Sequence, residues 1–266
     1  MGFSDGRKQS GLYHAEVTRS ARLSPHVQRV TFAGDDIRRM PQHGFDQWFR
    51  LFLPRPDGTT DFDAVPDSFG LGGYLRYLTK KSGTRPPFRS YTVRELRSDQ
   101  GELDVDFVIH GDAGIAGPWA QRAEPGEHVV LLDQGRGFDP LDDAAFVLLA
   151  ADESALPAVA GILRDLPRDA TGLAIIETGD PADRQALDAP DGFEIRWLTR
   201  DDPHATAGVA ALAEVASFTP DEPVRLQAYF GGEQAMVAGS RRHLVAAGVP
   251  KSRIEFTGYW KVGRAG

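Results

Sequence analysis

Cysteine is absent from this 266-residue chain. That excludes disulfides, iron–sulfur ligation and thiol redox chemistry within the polypeptide. A chain of this length can bury a core without cross-links. If it moves electrons, a bound organic cofactor has to carry them. Long apolar runs are missing too: no stretch approaches the roughly 18 residues of a membrane helix. The opening MGFSDGRKQSGLYH lacks the apolar core of a secretory signal. Neither membrane insertion nor secretion is expected. Positive charge is scarce, with 30 Lys and Arg against 38 Asp and Glu and a net charge of −8. This balance disfavours nucleic acid and anionic membrane surfaces, so any anionic ligand has to be met by a local basic patch. The 7 His residues show no H-E-x-x-H spacing. There is no G-x-S-x-G nucleophile elbow, no P-loop and no internal repeat.

What is present falls into two rhythms. Residues 102–107, ELDVDF, alternate polar and apolar as a half-buried antiparallel strand does. Similar segments at 12–19, 26–33, 47–53, 88–96 and 127–132 are separated by Gly, Pro and Asp clusters. They predict a small antiparallel Greek-key barrel with one helix near 116–123. After Pro140 the pattern changes. Residues 145–150, AFVLLA, form a continuous apolar run of the buried parallel-strand type, and further runs follow at 172–177, 193–198 and 224–230. Helical stretches at 154–166, 205–216 and 233–247 alternate with them, which predicts a parallel sheet covered on both faces. The expected fold class is therefore β followed by α/β, with a barrel domain over 1–140 and an α/β nucleotide-binding-like domain over 141–266.

Two motifs lie in the barrel half. In Arg89-Ser90-Tyr91-Thr92-Val93-Arg94, strand alternation puts Arg89 and Tyr91 on one face and Ser90, Thr92 and Arg94 on the other. A flavin asks for an aromatic plane, a cation for its pyrophosphate and polar groups at the ring edge. Tyr91, Arg89 and Thr92 supply these types. Alone, so short a motif fits a barrel strand with a surface Arg and a packed Tyr better than a flavin site. The second motif, His110-Gly111-Asp112-Ala113-Gly114-Ile115-Ala116-Gly117-Pro118-Trp119-Ala120, runs from a strand through a Gly-rich turn into a helix. Such a turn presents free N–H groups and the positive end of the helix to a phosphate. Gly111 and Gly114 permit close backbone approach.

Together these motifs resemble the FAD-binding signature of the siderophore-interacting proteins, within the ferredoxin–NADP reductase-like flavoenzymes. The resemblance runs from Arg89-x-Tyr91-Thr92-x-Arg94 through Asp106–Gly111, Trp119-Ala120, Pro125-Gly126-Glu127 and Asp152–Pro157 to Gly258-Tyr259-Trp260-Lys261-x-Gly263. Ala151 and Ile115 depart from it. It implies a cytoplasmic FAD-dependent ferric-siderophore reductase fed by NADH, NADPH or reduced ferredoxin. The implied cofactor residues are Arg89, Ser90, Tyr91, Thr92, Arg94, His110, Gly111, Gly114, Ala116, Trp119, Tyr259 and Trp260. Lys261 and Thr92 are the candidates closest to the chemistry. A siderophore carrier without turnover and a general flavin reductase are the alternatives.

On the donor side, Ala150–Pro157 is not a G-x-G-x-x-G turn, and Asp152 and Glu153 suit a helix cap. The resemblance sets Asp152, Glu153 and Ser154 beside the nicotinamide. Glu177, ending an apolar run, is read as a ribose ligand favouring NADH, with Arg184 and Arg200 near enough in sequence to reverse the preference. Gly231-Gly232 opens a helix and completes the candidate donor set. For an anionic ferric siderophore the candidate cations are Lys80, Lys81 and Arg85 before the flavin strand, and Lys261 and Arg264 near the end. Hard oxygen ligands hold Fe(III) better than Fe(II), so reduction alone releases the metal and the protein need not ligate it.

Overall fold

The computed structural model describes residues 11–66, 77, 83–109, 114–202 and 205–263. The chain divides into two compact units, one built from residues up to Arg22, Gln28–His43 and Gln47–Arg136, the other from Leu23–Val27, Gly44–Asp46 and Gly137–Gly266.

The first sheet contains β1 (Leu12–Ser24), β2 (Val27–Ala33), β3 (Trp48–Phe52), β4 (Phe88–Thr92), β5 (Glu95–Arg97), β6 (Glu102–Val108) and β7 (His128–Asp133). With it go the short helices α1 (Asp35–Arg38) and α2 (Ala116–Arg122). Its seven strands run in the order β4-β3-β7-β1-β2-β6-β5. The two outermost strands, β4 and β5, are thus neighbours in the chain, separated only by Val93 and Arg94. Val93 N–H donates to Gln47 O at 2.8 Å, extending the β3 side, while Arg94 N–H donates to Asp104 O at 3.0 Å, on β6. Two successive residues therefore bond to opposite ends of the sheet and close it into a barrel. The single strand expected over 88–96 is two strands because the chain crosses that seam.

Val17, Phe32, Phe49, Leu51, Leu103, Val105 and Phe107 fill the interior with Trp119 of α2. The alternation in β6 was expected to expose its polar positions, but Asp104 and Asp106 are buried. Arginines on neighbouring strands cover them. Arg29 holds Asp106 through Nε at 2.6 Å and Nη2 at 2.9 Å, and Arg97 holds Asp104 at 2.9 and 3.1 Å. Burial pushes the Asp104 carboxyl up, but Arg97 and Thr31 outweigh it and hold it below its ordinary value.

The second sheet contains β8 (Phe146–Ala151), β9 (Thr171–Thr178), β10 (Gly192–Thr199), β11 (Leu226–Glu233) and β12 (Ile254–Trp260). Its helices are α3 (Leu156–Asp165), α4 (Val209–Ser217) and α5 (Gln234–Ala246). The order β10-β9-β8-β11-β12 is parallel at each junction. The chain builds outward from β8 to β10, then returns to the other side with β11. The carboxyl ends of β8 and β11 thus flank a topological switch point, where open α/β sheets bind their ligands. β12 lies outside the runs expected as strands. As an edge strand with Phe256, Thr257 and Gly258 exposed, it carries neither the continuous apolar run nor a clean alternation.

Candidate flavin and donor sites

β4 presents the first candidate set. Arg89 is half-buried, and its Nη1 donates to Phe88 O at 2.8 Å. Among the described residues no carboxylate pairs with it. Tyr91 leans on the core with its ring 4.3 Å from that of Phe107. Desolvation raises the pKa of its phenol well above the ordinary value, so the ring stays neutral. Ser90 is exposed, and Thr92 is buried at the strand end opposite Trp48. Arg94 lies 3.4 Å from Asp106 through Nε, which ties it to the barrel wall beside Arg29.

α2 supplies the second set. Gly114 has φ +92°, in the left-handed region that disfavours side chains, and nothing lies within 4 Å of where a Cβ would stand. Among the described residues no side chain caps the helix start, and Ala116 is buried there. Trp119 is a correction. It is 1% exposed, between Phe32 and Phe107, and its Nε1 donates to Glu127 Oε2 at 2.9 Å. Its ring and its N–H are both spent on the core, so it anchors α2 rather than facing a ligand. His110 and Gly111 lie outside the described residues, as do Lys80, Lys81 and Arg264. Arg85 is described and sits over the Tyr77 ring at 5.0 Å, a packing contact of the cation–π kind. For FAD the donor set fits: a guanidinium with no carboxylate partner among the described residues, an aromatic plane on the same strand face, and a helix start that no described side chain caps.

The carboxyl rim of the parallel sheet has the opposite character. Asp152, after β8, accepts from Ser154 N at 2.9 Å on one oxygen, and from Glu233 N at 2.7 Å and Trp260 Nε1 at 2.9 Å on the other. The Ser154 hydroxyl donates to it as well. Burial raises the carboxyl to about 6, and the neighbouring Glu153 adds to this. Gly232, with φ +130°, has to be glycine, because a Cβ would stand 2.6 Å from the Asp152 carboxylate. Glu233 in turn caps α5 through Met236 N at 3.2 Å and accepts from Val262 N at 3.4 Å. Sequence reasoning missed the reach of Glu233; its only signal was an acid immediately before a helix. Tyr259 bonds Tyr229 hydroxyl to hydroxyl at 3.0 Å, and Lys261 is exposed just past β12.

Glu177 is the second correction. It is 0% exposed and accepts from Gly208 N at 2.8 Å, Ala211 N at 2.9 Å and Arg200 Nη1 at 3.2 Å. A carboxylate so buried and so engaged holds the start of α4 and is out of reach of a ribose. Arg200 also grips Glu153 at 2.8 and 2.6 Å, and these bonds hold its guanidinium all the more firmly protonated. It is thus unavailable to a 2′-phosphate. Arg184 is exposed and touches Thr199 Oγ1 at 3.1 Å. Neither Glu177 nor Arg200 therefore distinguishes NADH from NADPH.

Comparison with known proteins shows the family. Residues 16–137 match the siderophore-interacting FAD-binding domain, and residues 144–263 match the siderophore-interacting protein model. The ferric vibriobactin reductase ViuB of Vibrio cholerae is 30% identical over 94% of this chain and 89% of its own length. The NADPH-dependent ferric-chelate reductase of Escherichia coli is 31% identical over 96% and 95%. The crystal structure of a siderophore utilization protein from T. fusca superposes with a TM-score of 0.81 at 31% identity, over 97% and 95% of the two chains. The chain belongs to the siderophore-interacting family of FAD-binding proteins.

Proposed function

We propose that this FAD-dependent oxidoreductase is a cytoplasmic ferric-siderophore reductase, which takes electrons from NADH or NADPH and reduces Fe(III) in the chelate to Fe(II). The observation that carries the reading is the donor set of β4 and α2. Arg89, without a carboxylate partner among the described residues, stands ready for pyrophosphate, Tyr91 offers a neutral ring face, and Thr92 closes the strand end. The start of α2, with no side-chain cap among the described residues, adds N–H donors for phosphate oxygens. The flavin, when bound, supplies the passage from a two-electron donor to single-electron delivery. The protein residues hold and orient. The nicotinamide coenzyme goes to the switch point beside Asp152, Gly231 and Gly232. The reductase names of the Vibrio and Escherichia relatives support the reaction class.

The test is direct. Purified protein should show flavin absorption and, without oxygen, pass electrons from NADH or NADPH to ferric siderophores, with Fe(II) trapped by a ferrous-specific chelator. Colourless protein that binds ferric siderophore would make it a carrier. Faster turnover with free flavin than with any ferric chelate would make it a general flavin reductase. Reduction by reduced ferredoxin alone would move the donor from nicotinamide to a protein.

A further inference from the structure

At the end of the chain Lys261 is exposed, yet both of its neighbours are pinned. On one side Trp260 Nε1 donates to Asp152 Oδ2 at 2.9 Å, and on the other Val262 N donates to Glu233 Oε1 at 3.4 Å. The two acids are linked, because Glu233 N donates to the same Asp152 oxygen at 2.7 Å. One buried carboxylate thus joins the carboxyl ends of β8, β11 and β12. Nothing in helix capping requires the Trp260 bond, since the Asp152 contacts to Ser154 already finish the turn after β8. Gly232 leaves room for this carboxylate, since any Cβ there would clash with it.

We propose that Asp152 is a positioning residue that fixes Trp260, and through it Lys261, at the switch-point rim for the nicotinamide coenzyme. The inference rests on the reading of that rim as the coenzyme site. Lys261 is then a held cation for the coenzyme's phosphates, which would otherwise meet Glu153 and Glu233 at this rim. The other charges around Asp152 are accounted for. Glu153 on its own turn is paired with Arg200 from the end of β10, which also holds Glu177 of β9, and Glu233 of β11 is engaged at the start of α5. The raised carboxyl of Asp152, about 6, makes its hydrogen bonds charge-assisted at neutral pH and weaker in mild acid.

The experiment compares wild type, Asp152→Asn, Trp260→Phe and the double variant as flavin-loaded protein. Asp152→Asn turns donors toward donors, and Trp260→Phe deletes only the N–H. Each should weaken NADH or NADPH binding about fivefold, the scale of one lost hydrogen bond, with flavin content unchanged. The double variant should lose no more than the single variants, because both break one link. Wild-type coenzyme affinity should fall below about pH 6, and in Asp152→Asn that limb should vanish. Additive losses, unchanged affinity in both variants, or a surviving acid limb in Asp152→Asn would overturn the proposal. Tryptophan emission separates the latch from the coenzyme reading. The wild-type minus Trp260→Phe difference should titrate near pH 6 and stay flat on the Asp152→Asn background. Should it titrate while neither coenzyme binds, the rim reading fails and the latch stands. Should it not titrate, the latch itself fails.

Discussion

The flavin strand and the parallel-sheet rim treat arginine in opposite ways. On β4, Arg89 meets a backbone carbonyl and no described carboxylate. At the rim, Arg200 is consumed by Glu153 and Glu177. In a chain of net charge −8, a guanidinium left uncompensated is a commitment to an anion, and one doubly paired is a structural tie. Residue type is the same in both places, and only the partners tell the roles apart.

The sharpest way to break the contrast is Arg200→Ala. It leaves Glu177 buried without its cation, and removing one partner of such a pair costs about 3–5 kcal/mol. Denaturant melts should show that loss while flavin content in the folded protein holds. Loss of flavin without loss of stability would erase the distinction. The next effect is one of pH. Asp152 rises from 3.8 to about 6, so between those values the unfolded chain gives up this proton first. The folded state then binds more protons, and this group's contribution to stability falls as pH rises through the window, by about 3 kcal/mol at most. Unfolding curves of wild type and Asp152→Asn at pH 4 and pH 7 check it, and the difference should be larger in wild type.

On the flavin side, Arg89→Ala should weaken FAD by about 1.5–3 kcal/mol, the scale of a hydrogen bond to a charged group. Tyr91→Ala should also lower occupancy, read as the flavin-to-protein absorbance ratio. Full flavin in both would remove β4 from the site. Gly114→Val should lower FAD affinity beyond a surface change, since a β-branched residue resists positive φ. Smallest is Lys261→Ala, a severalfold loss of kcat/KM for NADH or NADPH that shrinks as salt screens the charge. A loss persisting at high salt would assign Lys261 to something other than attraction.

Much of this was legible in the sequence. The change from period-2 segments to continuous apolar runs separates barrel from parallel sheet, and strand positions in both follow it. Motif order along the chain identifies the family. What escaped is pairing. Glu177 and Arg200 are 23 residues apart, and sequence gives no sign that one closes on the other. Trp119 reads as a ligand because an aromatic near a Gly-rich turn has two equally good uses, and only the packing of Phe32 and Phe107 decides. β12 escaped because an edge strand with an exposed face needs no regular pattern.

The seam at Val93 and Arg94 has a consequence for the apoprotein. The two end strands of the sheet, β4 and β5, are joined only by that two-residue link, bonded to Gln47 and Asp104, and β4 carries Arg89 and Tyr91. A ligand gripped by β4 stabilises the closed form in proportion to the logarithm of its concentration over Kd. Flavin loading should therefore slow amide hydrogen exchange most along β4 and β5. Protein stripped of flavin should open there first, exposing the unpaired strand edges through which β proteins associate.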